Sequence, residues 1–193
     1  MRILESVQTM FRGLRSDGSQ LIEFDPAVVA HEPTINVSTT AFIADGRMPV
    51  DFSADGAGKF PTIKWSNVPA EAKSLVLVVE DPDAPKPTPF VHAILYNIPP
   101  SLTALQEHAV TDDGLSPEAL AAGVRFGTNS LGYDTYMAPT PPPKHGPHRY
   151  HFQVIALDGT LEFEKAPSLK DIREAIQDRV LAYGEVVGVY ERK

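Results

Sequence analysis

Three short stretches hold the residues best suited to chemistry. The first is Glu80-Asp81-Pro82-Asp83-Ala84-Pro85, where two carboxylates flank a proline directly after an apolar run. A carboxylate at the end of a buried strand is partly desolvated and needs hydrogen-bond donors or a cation. The same residues also fit a plain acidic Asp-Pro turn. The second is His92, inside Phe90–Ile98, where strict alternation places it on one face with Phe90, Ile94 and Tyr96. A lone histidine on such a face is more often packed than functional. The third is His145-Gly146-Pro147-His148-Arg149-Tyr150. His145 and His148 also fit plain solvated loop residues, but alternation from a strand start turns His148 and Tyr150 the same way and Arg149 the other. An imidazole and a phenol facing one cleft are donors suited to an anion.

Two chemistries compete for these groups. As metal ligands, one carboxylate and two histidines suit non-haem iron or zinc. As an anion site, the histidines and Tyr150 donate, and the carboxylate orients a histidine or receives an ammonium. No H-x-x-x-H spacing supports a metal, and neither a G-x-S-x-G elbow nor a P-loop is present. Gly127-Thr128-Asn129-Ser130 is not a phosphate loop, and only its nearness to histidines offers Ser130 as a nucleophile.

The elements that must carry these residues are mainly strands. Ile35-x-Val37-x-Thr39, Pro61–Trp65, Ser74–Glu80, Phe90–Ile98 and Tyr150–Leu157 read as strands, with Leu75–Val79 apolar on both faces and hence central. Val186–Tyr190 reads as a last strand. Ser116-Pro117-Glu118 opens a short helix that Gly123 ends. Ser168 and Asp171 form a capping box for a helix over Ser168–Tyr183, with Leu169, Ile172, Ile176 and Val180 as its stripe and Gly184 past its end. Leu4, Val7, Phe11 and Leu14 predict an amphipathic helix near the N-terminus. Gly127–Pro147 is a long loop without periodicity, stiffened by proline. The fold class is therefore mainly β with peripheral helices: residues 1–34 form an N-terminal extension and 35–193 the domain.

The 193 residues include 18 prolines, six of them between Pro82 and Pro100 and five between Pro139 and Pro147. There is no cysteine, which excludes disulfides, thiol nucleophiles and iron–sulfur clusters. A formal charge of −8 is a poor basis for binding nucleic acid. No apolar run reaches the roughly 20 residues of a membrane span, and the N-terminus lacks a signal-peptide core, so no stable membrane insertion and a cytoplasmic setting are expected.

Val79-Glu80-Asp81-Pro82-Asp83-Ala84-Pro85, then His92 and Tyr96-Asn97-Ile98-Pro99, resembles the phosphatidylethanolamine-binding protein family, which includes the Raf kinase inhibitor proteins and their bacterial YbhB/YbcL-type relatives. A second signature agrees: Gly127-x-Asn129-Ser130, Tyr136, Pro139-x-Pro141-Pro142 and Gly146-x-His148-Arg149-Tyr150-x-Phe152. Phe60-Pro61, Trp65, Val68-Pro69, Val180-Leu181-Ala182 and Gly188-x-Tyr190 extend the likeness over about 35 to 192.

The resemblance implies a large sheet packed on a smaller one, and a pocket for phosphate-like anions. Asp81, His92, His148 and Tyr150 are expected to line that pocket, with Asp83, Pro85, Pro139 and Pro141 shaping its rim. A cis Ala84–Pro85 bond is also implied, and neither a cofactor nor a resident metal is. Three departures stand out: Ala138-Pro139 replaces the usual Gly-Pro, Asp178-Arg179 replaces Gly-His, and the stretch from Pro85 to His92 is short. The expected function is binding of a phosphorylated head group, small molecule or partner residue, with kinase-inhibitor-like regulation as its extension. His92 and His148 serve as donors in this reading. The alternatives are a hydrolytic or metal-dependent enzyme using the Asp/His/His cleft and a protease-inhibitor-like interaction protein. A protein kinase and a homodimer are the partners the resemblance leaves open.

Overall fold

The computed structural model describes residues 14–16, 18–111 and 114–193. The helix expected near the N-terminus lies outside them except for Leu14 and Arg15, which are not helical.

Ten strands occur among the described residues, in chain order: β1 (Asn36–Thr39), β2 (Ile63–Ser66), β3 (Ser74–Asp81), β4 (Phe90–Ile98), β5 (Ala104–Leu105), β6 (Val110–Thr111), β7 (Gly114–Leu115), β8 (Arg125–Phe126), β9 (His148–Leu157) and β10 (Val180–Tyr190). The principal sheet has the order β10-β9-β3-β4-β8, and β1-β2-β5 form a smaller sheet. β3, buried at every position, pairs antiparallel with β4 on one side and β9 on the other. This central placement follows from a Val/Leu run with no polar face.

Alternation along β3 and β9 divides the interior into two cores. Leu75, Leu77 and Val79, with Tyr150, Phe152, Val154 and Ala156, face the smaller sheet and pack with Ile63, Trp65 and Leu105. Val76, Val78 and Ile155 face the other way and are covered by Ile22, Val28, Leu161, Ile172 and Ile176. Three short helices serve these layers: α1 (Pro26–Val29), α2 (Pro117–Ala121) and α3 (Leu169–Ala175). α2 starts as expected, Ser116 Oγ accepting from Ala119 N–H at 3.2 Å. The stretch before β1 is anchored too: Ile22 and Val28 lie in the outer core, and Asp25 pairs with Arg173 of α3 at 2.8 Å.

The helix expected over Ser168–Tyr183 is corrected. Its capping box forms as read, but the helix stops at Ala175 and the chain re-enters the sheet as β10. Asp178 adopts φ 60°, a left-handed turn that no helix continues through. Beyond it the burial alternates residue by residue, and β10 pairs with β9 from Leu157 to His148. Those pairs satisfy the β9 backbone, which a helix would leave bare. Gly184 is consequently a strand residue rather than a helix end; a Cβ there would stand 1.9 Å from the Ile35 carbonyl oxygen.

Strict alternation along β4 is also corrected. Its pairing with β3 shifts twice, between Val79 and Glu80 and between Leu75 and Leu77. At the first shift Val79 faces Ala93 and Glu80 faces Val91, so His92 is the extra residue of a bulge. Ile94 and Tyr96 therefore join the outer core, whereas the His92 ring packs against Tyr150 on the inner face, 5.2 Å between centroids.

Candidate functional site

The ends of β3, β4 and β9 surround a cavity of about 220 Å³. That is the space of about seven waters at ~30 Å³ each. Asp81, His92, His148, Tyr150, Pro85 and Pro141 line it, and Ala84, Lys86, Phe90, Met137, Thr140 and Pro142 complete the wall.

Asp81, 3% exposed, has both oxygens engaged. Oδ1 accepts from the Asp83 N–H at 2.8 Å, and Oδ2 accepts from His148 Nδ1 at 2.7 Å. A carboxylate accepts, so Nδ1 of His148 carries a proton. Its other nitrogen, Nε2, meets His145 Nδ1 at 2.7 Å. Asp81, His148 and His145 thus form a buried relay in which His145, read as a loop residue, is 6% exposed. Both ring nitrogens of His148 are engaged, one with Asp81 and one with His145, while the ring lines the cavity.

His92 is held by the Gly/Pro-rich loop. Its Nδ1 lies 2.6 Å from the Met137 carbonyl oxygen, which can only accept, so Nδ1 carries a proton and Nε2 remains for the cavity. Burial holds the ring below the ordinary imidazole range, and Asp81 and the Met137 carbonyl oppose this more weakly. His92 is thus neutral near pH 7 and offers a lone pair at Nε2. The loop itself is strapped along β4 by Gly127 N–H to Ile94 O, Ser130 N–H to Val91 O and Met137 N–H to His92 O. Ser130 Oγ accepts from the Val91 N–H at 2.8 Å and is not in the cavity wall, so it serves the strap.

Tyr150 is 1% exposed, and its hydroxyl has no hydrogen-bond partner among the described residues. Burial first, and Asp81 next, raise its pKa well above the ordinary phenol value, so it stays protonated. It is a buried donor without an acceptor.

Asp83 and Pro139 fall outside the cavity wall. Asp83 accepts from Arg149 Nε at 2.8 Å, from the Arg149 N–H at 2.9 Å and from Arg15 at 2.7 Å. Burial alone would raise its pKa, but the two guanidiniums and the backbone donor outweigh that and hold it at about 2. Arg15 also donates to the His145 and Pro147 carbonyls, pinning the loop that carries His148. Sequence reading missed Arg15, Lys86, Phe90 and Met137; the run Pro85-Lys86-Pro87 was the one pointer to Lys86. Pro139 accepts from the Ala54 N–H at 3.0 Å, and the Ala138 methyl faces Gly58 rather than the cavity. Ala84–Pro85 is trans, against expectation. Here the Asp83 N–H to Asp81 bond and a Lys86 N–H to Ala84 O bond turn the chain.

The fold is thus a sheet sandwich with a small, proline-walled cavity at its strand ends. The sequence matches the family profile described as phosphatidylethanolamine-binding protein over residues 38–191, and the chain belongs to that family. It is 39% identical to a UPF0098 protein of Methanothermobacter thermautotrophicus, over 82% of this chain and 99% of the relative. It is 34% identical to phomoidride biosynthesis cluster protein B of a fungal species, over 94% of this chain and 90% of the relative. The crystal structure of Escherichia coli YbcL superposes with a TM-score of 0.74 at 28% identity, covering 83% of this chain and 99% of that one.

Proposed function

We propose that the cavity takes a phosphate-like anion, either the phosphoryl group of a small molecule or head group, or a phosphorylated residue of a protein partner such as a kinase in the cytoplasm. The carrying observation is Tyr150, a protonated hydroxyl buried without a partner in the cavity wall. An orphan donor costs about 1–3 kcal/mol, which an incoming anion recovers. His92 Nε2 is the second contact. It donates only after the ring takes up a proton, so anion binding and proton uptake are linked. Lys86, with its ammonium 5.0 Å from the centre of the Phe90 ring, adds positive charge at the wall.

Sulfate is the appropriate probe, because its own charge is constant between pH 5 and 8. The expected result is a shift of the His92 ring resonances at millimolar sulfate, with affinity rising as pH falls and the His92 pKa raised in the complex. Tyr150→Phe should lower affinity roughly 10- to 100-fold, the worth of one hydrogen bond to a charged group. Phosphoethanolamine and a phosphoserine peptide in the same assay distinguish the two sources of the anion. An unmoved His92 resonance would overturn the reading.

A further inference from the structure

Glu80 and His151 lie on the opposite face of the same sheet, one residue along from Asp81 and Tyr150, and they pair across β3 and β9. Two more acidic side chains join them: Glu185 from β10 and Glu23 from the turn that precedes α1. His151 Nδ1 is 2.9 Å from Glu185 Oε2 and 3.9 Å from Glu23 Oε1. We propose that Glu23, His151 and Glu185 bind one zinc-class divalent cation, at a site separate from the anion cavity.

Geometry supports this first. One ligand atom from each of the three residues lies within 4.8 Å of the others. Zinc bonds of about 2.0–2.2 Å put two ligands of one ion roughly 3–4 Å apart, so a small rotation of the Glu23 side chain closes the set. Charge supports it independently. Among the described residues, no lysine or arginine makes an ion pair with Glu23, Glu80 or Glu185. Glu80 is fully buried, with Oε2 accepting from the Ile22 N–H and from Gln153 Nε2 while Oε1 has no partner. A buried orphan such as Glu80 Oε1 marks a place where an ion or its water completes the arrangement. An ion with three protein ligands keeps a water in its fourth position, and such a water is a donor of the kind Glu80 Oε1 lacks. An imidazole nitrogen among the ligands favours zinc and its neighbours over magnesium or calcium, which prefer oxygen throughout. A cleft lined by Leu21, Phe24, Pro82 and Arg149 reaches His151 and gives the ion a path.

The test is calorimetric titration of the full chain, freed of metal by chelator, with Zn2+ alone, paired with thermal melts. The expected result is one zinc per chain and a higher Tm in its presence. Glu185→Gln and Glu23→Gln should each weaken binding about tenfold or more and reduce the rise in Tm. Glu185 is partly exposed in the strand, so its amide variant retains the fold even if His151→Gln does not. Calcium should give no comparable response. Absence of zinc uptake at micromolar concentration, or zinc binding unchanged in both glutamine variants, would overturn the proposal; sulfate binding in the cavity is independent of either outcome.

Discussion

Glu80 and Asp81 are neighbours in β3, yet they leave it on opposite faces and meet opposite surroundings. Asp81 is saturated: a backbone N–H takes one oxygen and His148 the other. Behind it Asp83 is saturated as well, by Arg149 and Arg15. On the outer face Glu80 keeps one oxygen without a partner, and Glu23 and Glu185 compete for a single histidine. The difference teaches that burial does not decide what a carboxylate does. The inner face spends its negative charge on positioning side chains around a cavity. The outer face gathers carboxyls that make no ion pair with a lysine or arginine among the described residues, and burial raises the pKa of Glu80 and Glu23.

The comparison can be broken most severely at Asp81. Asp81→Ala leaves His148 and the Asp83 N–H without their partner, and should cost about 3–5 kcal/mol of unfolding free energy in denaturant titration. Glu80→Gln, one residue away, removes a charge that burial already disfavours, and should change stability by no more than about 1 kcal/mol. Equal losses in the two variants would erase the contrast.

The two faces should also respond to pH with opposite sign. The Asp83 carboxyl is held at about 2, below its unfolded value. Its stabilisation is fully present above about pH 4 and is lost as pH falls towards 2. The partly exposed arginines limit it to about 1–2 kcal/mol. Glu23 is raised to about 7 by burial and then by Glu185, against the opposing pull of His151. A raised carboxyl binds its proton more tightly when folded, so stability falls as pH rises from about 4 to 7. In chelator-treated protein, Asp83→Asn should flatten the acid limb and Glu23→Gln the neutral limb, each by about 1–2 kcal/mol. The smallest effect is expected at Tyr150. Because its hydroxyl is unpartnered in the ligand-free protein, Tyr150→Phe should leave stability unchanged or raise it by up to about 1 kcal/mol, while weakening anion binding.

Much of the inner face was legible in the sequence. His148 and Tyr150 alternate at the start of β9, so their shared face followed from the strand period, whereas Asp81 was marked by its place at the end of a fully apolar run and by the family resemblance. His92 keeps Phe90 as a neighbour, 4.8 Å between ring centroids, but not Ile94 and Tyr96, because a bulge depends on how β4 pairs with β3, which no local pattern records. α3 was drawn too long for a related reason: Ile176 and Val180 suit a helical stripe, and only the open side of β9 converts the following residues into a strand. The occupied nitrogens of His148 were hidden by the loop that folds His145 back onto it. The outer cluster was not legible at all. Glu23, Glu80, His151 and Glu185 are scattered along the chain, and each alone reads as an ordinary polar residue of a turn or strand.

The borders of the principal sheet carry one more consequence. Along β10, Ile35, Asp45 and Met48 donate backbone N–H groups to Tyr183, Val187 and Val189, and Val189 donates back to Gly46. Gly184 lets this backbone come so close. Along β4, beyond the two residues of β8, the proline-rich loop supplies the corresponding bonds. An unpaired strand is a template on which another polypeptide can lay itself. At these positions the chain has occupied that template with its own segments. A second copy, or a misfolded neighbour, must first peel away one of these straps before it can extend the sheet, so the fold resists strand-by-strand aggregation. Extension of the principal sheet at these borders is thereby disfavoured.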